Sequence, residues 1–410
     1  VFNELVEAEL HPRDGFAPNY MIDQSHNVTD PIESMISSAE AIAGAYAKAL
    51  LVDREALHFA QDHNDTMMAF QALRHAYRTD VTPILAMARM EAGGAIDALA
   101  AAHVYPDPLG GDLKRALARH HGVEAAQVLL GNGSHEVLMQ LAQVFAGAGD
   151  EVLAAQYGFA VYALAAQAAG ATLRLAPALP RDHAMPRGHD PDALRAAITP
   201  RTRLVYLANP NNPTGTWYSG AAFGAFLAAV PTDVLVVVDE AYAAYVDATA
   251  WASAVPLLAR HPNLVVTRTF SKAFALAGLR VGYALAHPGL LAVMERVRES
   301  FNVNAPALAA AEAALDDTAH LQAAVAANRA QREALAAALR ARGRAVAPSQ
   351  TNFLLAEFGD ATARIEAGLR ARGVILRPMG GYGLGDCLRI TVGTAGDNAR
   401  LLAALDEVMA

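Results

Sequence analysis

The stretch LVVTRTFSKAFALAGLRVGYALA, residues 264–286, decides the fold. Its two ends, LVVTRTF (264–270) and VGYALA (281–286), are short and mostly apolar, as buried strands are. Between them Lys272 stands among apolar residues, just past the first strand. A lysine so placed can have its ammonium disfavoured by desolvation, which makes a neutral, nucleophilic amine accessible. A lone lysine in such a turn would be an ordinary surface residue. Working outward, similar runs occur at VLLGN (128–132), EVLAA (151–155), ATLRLA (171–176), RLVYLA (203–208) and DVLVVVD (233–239). Ala-rich helical stretches separate most of them. Strands alternating with helices predict an α/β domain built on a mainly parallel, seven-stranded sheet covered on both faces. From about residue 306 helices dominate, APALAAAEAALDD and then LQAAVAANRAQREALAAALRARG, before strands at NFLLAEF and CLRITVG. That end predicts a smaller α+β domain.

Composition sets the limits. The chain has 410 residues, 54% hydrophobic and 18% charged, which is globular and allows more than one domain. A net charge of −9 argues against a nucleic-acid partner. A single cysteine, Cys387, rules out a disulfide framework and fits a reducing cytoplasm; beside CLRI it reads as core. No apolar run reaches the roughly 18 residues of a membrane helix, and the first residues lack the pattern of a signal peptide. The first residue is Val1, as in a processed or partial chain.

Three further groups fall at strand ends, where open α/β sheets bind ligands. Asp239 closes the run DVLVVVD, so its carboxylate stands at the carboxyl edge of a buried strand, with Tyr242 three residues on. An acid there can keep a ring nitrogen protonated, although Asp239-Glu240 taken alone reads first as a helix cap. NPNNPTG (209–215) follows RLVYLA and must be an irregular turn, unusually rich in Asn amides that can donate to a ligand oxygen. GNGSHE (131–136) follows VLLGN and opens a helix whose first N–H groups, at Ser134 and His135, would point at an anion.

Taken in order, GNGS, NPNNPTG, DEAY, FSKAFALAGLRVGY and LRITVGT resemble the fold-type I aminotransferases, which depend on pyridoxal 5'-phosphate, over residues of about 101 to 410. With YPDP (105–108), they most resemble the histidinol-phosphate aminotransferases. That resemblance implies that Lys272 carries the cofactor and serves as the general base, and that Asp239 partners the pyridine nitrogen. Asn212 and Tyr242 would contact the ring hydroxyl. Ser134 and His135 through their backbone, Ser271 and Arg280 would hold the phosphate, and Phe159 would stack on the ring. Tyr105 would reach the cofactor phosphate of a partner subunit, which implies a homodimer. Arg389, Arg377 and Asn352 would bind the substrate, the arginines taking its acidic end. A guanidinium fork accepts phosphate and carboxylate alike, so one site would serve histidinol phosphate and then 2-oxoglutarate or glutamate. An aromatic aminotransferase, a decarboxylase of phosphorylated substrates, and a truncated, inactive protein of the same fold are the alternatives.

The chain departs from that family in two places. Position 135 is His where the family has an acidic residue, and the Asn-Glu-Asn-Pro type segment that precedes YPDP and closes the substrate site is missing. In its place stand about 100 residues that read as helical, with caps at Asp30-Pro31, Asp53 and Asp65 and another helix opening at Pro83. MIDQSHNVTDPIESMISSAEAIAGAYAKALLVDREAL resembles the C-terminal end of bacterial L-rhamnose isomerase, a metal-dependent (β/α)₈ barrel. Asp23 would match one of its metal ligands, but the strands carrying the others are lacking, so Asp23 and His26 read as turn and cap residues and no metal is expected. The reading is therefore a fused helical segment (1–100), a large cofactor-binding domain (101–300) and a small C-terminal domain (301–410), with the joint between Gly93 and His103. Removing residues 1–100 is expected to leave cofactor binding intact.

Overall fold

The computed structural model describes residue 98 and residues 103–410, and builds strands from the predicted β-rich runs almost residue for residue. Residue 98 is helical; the other expectations on residues 1–100, including Asp23, His26 and the helix caps, lie outside the described residues. In chain order the larger sheet region runs α1 (Gly111–His121), β1 (Val128–Gly131), α2 (Gly133–Phe145), β2 (Glu151–Ala155), α3 (Ala160–Ala168) and β3 (Thr172–Ala176). It continues with α4 (Pro191–Ala196), β4 (Thr202–Ala208), α5 (Gly220–Ala229), β5 (Leu235–Asp239), β6 (Leu264–Thr269), β7 (Gly282–Ala286), α6 (Pro288–Glu295) and α7 (Ala305–Asp316). The remainder is α8 (Thr318–Ala341), β8 (Phe353–Glu357), α9 (Thr362–Ala371), β9 (Arg377–Pro378), β10 (Cys387–Thr391) and α10 (Ala395–Met409).

The seven strands lie in the order β1-β7-β6-β5-β4-β2-β3, and only β7 runs against the rest. That exception has a local cause. Most parallel neighbours here are reached through a crossover, but only the irregular stretch 270–281 joins β6 to β7, so the chain turns straight back. Thr269 therefore pairs with Gly282, and β7 begins at the edge where β4, β5 and β6 end. Everything that follows depends on this meeting of chain ends.

Alternation in β5 explains the layers. Val236 and Val238 pack into a core shared with α1, α4, α5 and α7, whereas Leu235 and Val237 pack with α2, α3 and α6. Burial on both faces is why LVVVD contains no polar residue before Asp239. The small sheet, β8-β10-β9, is antiparallel, and its apolar face (Leu354, Leu388, Ile390) is covered by residues of α8, α9 and α10. Among the described residues no helix is long and apolar enough to cross a membrane.

Candidate active site

The carboxyl edge of the large sheet gathers most of the residues singled out above. On one side lies the start of α2. Its N-cap, Asn132, makes no capping bond with its own side chain, so the first N–H groups of the helix stay available. Gly133 has φ +74°, and a Cβ there would meet the Arg280 Nη2 at 2.5 Å. Gly282 is tighter still, since a Cβ would lie 2.3 Å from the Ser134 nitrogen. These two glycines let β7, the α2 terminus and the Arg280 guanidinium come together, and Arg280 itself has φ +59°. Desolvation and the Arg280 cation lower the His135 pKa, which leaves an uncharged imidazole at neutral pH. Ser271 follows β6, its hydroxyl accepting a bond from Thr269 Oγ1 at 3.0 Å. Backbone N–H groups, a hydroxyl and a guanidinium make a cradle for a dianion.

Asp239 is buried at 5% exposure and accepts three hydrogen bonds: from Tyr162 Oη (3.2 Å), Thr267 Oγ1 (3.3 Å) and the Ala241 nitrogen (3.1 Å). Burial pushes its pKa up to about 6, against those three donors and the Lys272 charge, which favour the carboxylate. Tyr162, stacked on Tyr206 with ring centroids 4.8 Å apart, is itself locked, because Tyr206 Oη donates to the Leu138 carbonyl.

Lys272 Nζ lies over the Tyr242 ring, 5.4 Å from its centroid. The Tyr242 ring meets Phe353 edge to face at 5.4 Å, and the Arg389 guanidinium lies 4.8 Å over Phe353. Arg389 Nη1 donates to Asn212 Oδ1 at 2.5 Å, while its buried Nε has no hydrogen-bond partner. Desolvation is the main reason why the Arg389 pKa is lowered, with the Arg377 charge adding to it. β9 and β10 set those two arginines directly opposite each other, Arg377 exposed and Arg389 half-buried.

The chain contains three lysines, Lys48, Lys114 and Lys272. Lys114 is ion-paired with Glu295, so of the two described lysines only Lys272 is free of a carboxylate. The Asn-rich turn does less than its composition implies. Asn209 braces Tyr218 and Asn211 bonds the Tyr157 carbonyl and Thr214, so both hold the loop itself; only Asn212 turns to Arg389. Phe159 caps α3, edge-on to Tyr162. Asn352 is half-buried and ties its carbonyl to the Val392 nitrogen. Tyr105 stands apart, 79% exposed and stacked on Phe301. Cys387 is fully buried, its thiol pushed up to about 12 by burial, which agrees with a core residue. It adjoins Glu357 and Asp386, and Arg187 is ion-paired with both carboxylates.

Three contributors went unread in the sequence. Tyr162 lies three residues past Phe159 on one helix face, a spacing that was the available signal. Thr267 and Phe353 carry no signal beyond their strands, because each acts through contacts with distant segments.

A lysine beside a buried acid, next to an anion cradle and a second, deeper guanidinium, is the layout of an aminotransferase site. The aminotransferase class I and II family matches residues 75–406, beginning upstream of the residue near 101 from which the resemblance was read. The chain is 49% identical over 314 residues to histidinol-phosphate aminotransferase 1 of Thiobacillus denitrificans, covering 77% of this chain and 80% of that protein. It is 48% identical over 328 residues to histidinol-phosphate aminotransferase 2 of Ralstonia nicotianae, covering 79% and 85%. Among solved structures, the histidinol-phosphate aminotransferase of Sinorhizobium meliloti in complex with pyridoxal 5'-phosphate aligns with a TM-score of 0.72 and 32% identity, over 77% of this chain and 85% of that one. The chain therefore belongs to the class I and II aminotransferases and, within them, to the histidinol-phosphate aminotransferase family. It is a pyridoxal-phosphate-dependent aminotransferase. The residues fit that cofactor: free helix N–H groups and Arg280 suit its phosphate, and Asp239 suits a protonated ring nitrogen.

Proposed function

We propose that this chain transfers the amino group of L-histidinol phosphate to 2-oxoglutarate, giving imidazole acetol phosphate and glutamate in histidine biosynthesis. The observation that carries this reading is the Arg389 guanidinium, half-buried beside Asn212 with Nε unpartnered, on the same side as Lys272 and Tyr242. A buried donor without an acceptor calls for an anionic ligand, and phosphate and carboxylate both supply one.

Pyridoxal phosphate supplies the aldehyde that takes up the amino group and a ring that draws electrons from the substrate α-carbon. Asp239 keeps the ring nitrogen protonated, and Tyr162 and Thr267 keep Asp239 ionised and aimed. Ser134 and His135 through their N–H groups, Ser271 and Arg280 hold the phosphate. Asn212 and Tyr242 would contact the ring hydroxyl, and Phe159 would cover one ring face. Lys272 Nζ would hold the cofactor through its aldehyde and, displaced by the substrate amine, would be free to accept the substrate α-proton. Arg389 and Arg377, with Asn352 alongside, bind the acidic end. Tyr105 reaches the site of a second copy, making the working unit a homodimer. The enzyme works in the cytoplasm, with a large domain built on the seven-stranded sheet and a small one built on β8, β9 and β10.

A rival reading has one observation behind it: a guanidinium that takes a phosphate also takes the carboxylate of an aromatic amino acid. Glutamate formation from 2-oxoglutarate, measured with histidinol phosphate and with phenylalanine as donors, separates the two. At least a tenfold higher kcat/KM for histidinol phosphate supports the proposal. The reverse order would assign the chain to aromatic amino acids.

A further inference from the structure

The segment Phe301-Asn302-Val303-Asn304 lies between α6 and α7, outside the residues assigned to the site. Its conformation is unusual. Phe301 has φ +57°, a left-handed backbone that a side chain of that size avoids unless its surroundings require it. The turn sends the Phe301 ring outward to Tyr105 and buries Val303. The two asparagines then face opposite ends of the phosphate cradle.

Asn302 holds the side formed by α2. Its Nδ2 donates to Glu136 Oε2 (2.7 Å), in the first turn of α2, and to the Leu130 carbonyl (3.2 Å), just before the Gly-rich turn. Its own carbonyl accepts Asn132 Nδ2 at 3.0 Å. This last bond turns the Asn132 side chain toward Asn302, and its Oδ1 makes no capping bond to α2, while Glu136 Oε2 accepts the Asn132 backbone N–H. The N–H groups at the helix start are thus kept free for a ligand. Asn304 holds the other side. Its Nδ2 donates to the Leu279 carbonyl at 3.2 Å, one residue before Arg280, while its Oδ1 caps α7 through the Ala307 nitrogen at 2.9 Å. Arg298 ties the segment down by donating to Asn302 Oδ1 (2.7 Å) and to the Pro108 carbonyl (2.6 Å).

We infer that Asn302 and Asn304 are positioning residues that fix the spacing between the α2 terminus and Arg280, and so set how tightly the cofactor phosphate is held. This rests on the reading of Ser134, His135 and Arg280 as the phosphate site. The clamp acts on the phosphate alone, since neither asparagine contacts Lys272 or Asp239.

Paired titrations of the full-length apoprotein with pyridoxal phosphate and with pyridoxal, which lacks the phosphate, test it. Asn304→Ser keeps a good helix cap but cannot reach Leu279, so the apoprotein should melt as the unsubstituted protein does. Its affinity for pyridoxal phosphate should fall about tenfold while that for pyridoxal is retained. Asn302→Ala, which removes two donated bonds, should lower the same ratio further. A parallel loss for both ligands would make the role merely structural and overturn the inference. So would an unchanged ratio in both variants when the unsubstituted protein prefers the phosphorylated ligand. If the unsubstituted protein shows no such preference, the phosphate-site reading itself is wrong and the clamp falls with it.

Discussion

Replacing Tyr162 by Phe removes one hydroxyl and leaves the ring stacked on Tyr206, so packing is nearly unchanged. The hydroxyl is one of three donors to Asp239, at 3.2 Å. A hydrogen bond to a charged group contributes about 1.5–3 kcal/mol, and a bond this long belongs at the low end. At 1.36 kcal/mol per tenfold change, the loss should raise the Asp239 pKa by about one unit. Asp239 titrates at about 6 in the free protein, so the variant should titrate near 7. Because the protonated acid cannot hold a ring nitrogen protonated, cofactor affinity falls with acidification in both proteins. The two should bind pyridoxal phosphate alike above about pH 8 and differ by up to about tenfold well below pH 6. Fluorescence titration of the apoprotein from pH 5 to 9 measures this, and the cofactor's own titrations cancel in the ratio. A ratio independent of pH, or a midpoint moved downward, would refute the idea that Tyr162 sets the ionisation of Asp239.

The same buried acid couples stability to pH. Its pKa is higher folded, about 6, than the ordinary 3.8, so the folded apoprotein holds the proton across that window. The contribution is complete below about pH 4 and is lost as pH rises through about 6, amounting to about 3 kcal/mol. Asp239→Asn should accordingly melt higher than the unsubstituted apoprotein at pH 8, a gap that is about half closed at pH 5 and gone below about pH 4, while losing most activity. Gly282→Ala would press a Cβ to within 2.3 Å of the Ser134 nitrogen, so thermal unfolding should show a loss of about 1–3 kcal/mol together with weaker cofactor binding. Arg389→Ala should raise KM for histidinol phosphate and 2-oxoglutarate alike, by about tenfold to a hundredfold. A rise confined to one substrate in steady-state assays would mean that separate groups hold the two acids.

The large sheet was legible because burial on both faces leaves apolar runs such as LVVVD that no surface strand could carry. The anchors of the site were legible for a related reason: Asp239, Asn212 and Lys272 are polar residues set where such runs stop. The reversal of β7 was not written in VGYALA, whose composition matches the parallel strands; it follows from the short connection before it. Composition alone did not separate the asparagines of NPNNPTG, and Asn212 was picked out only through the family resemblance; Asn209 and Asn211 are drawn away by Tyr218 and Tyr157, partners that only folding brings near. Tyr162, Thr267 and the asparagines at 302 and 304 act through bonds to distant segments, so their types and spacing carried little signal. Phe301-Asn302-Val303-Asn304 was not singled out in the sequence at all; its part shows only when its two amides are followed to the Gly-rich turn and to Leu279.

The central claim is that Lys272 carries the cofactor. Borohydride reduction of the cofactor-loaded protein makes the lysine–cofactor bond permanent, and peptide mass spectrometry then locates it. With only three lysines in the chain, the result is unambiguous: the account predicts the label on the peptide containing Lys272, and none on Lys272→Ala. A label on Lys48 or Lys114, or equal labelling of the variant, would contradict it.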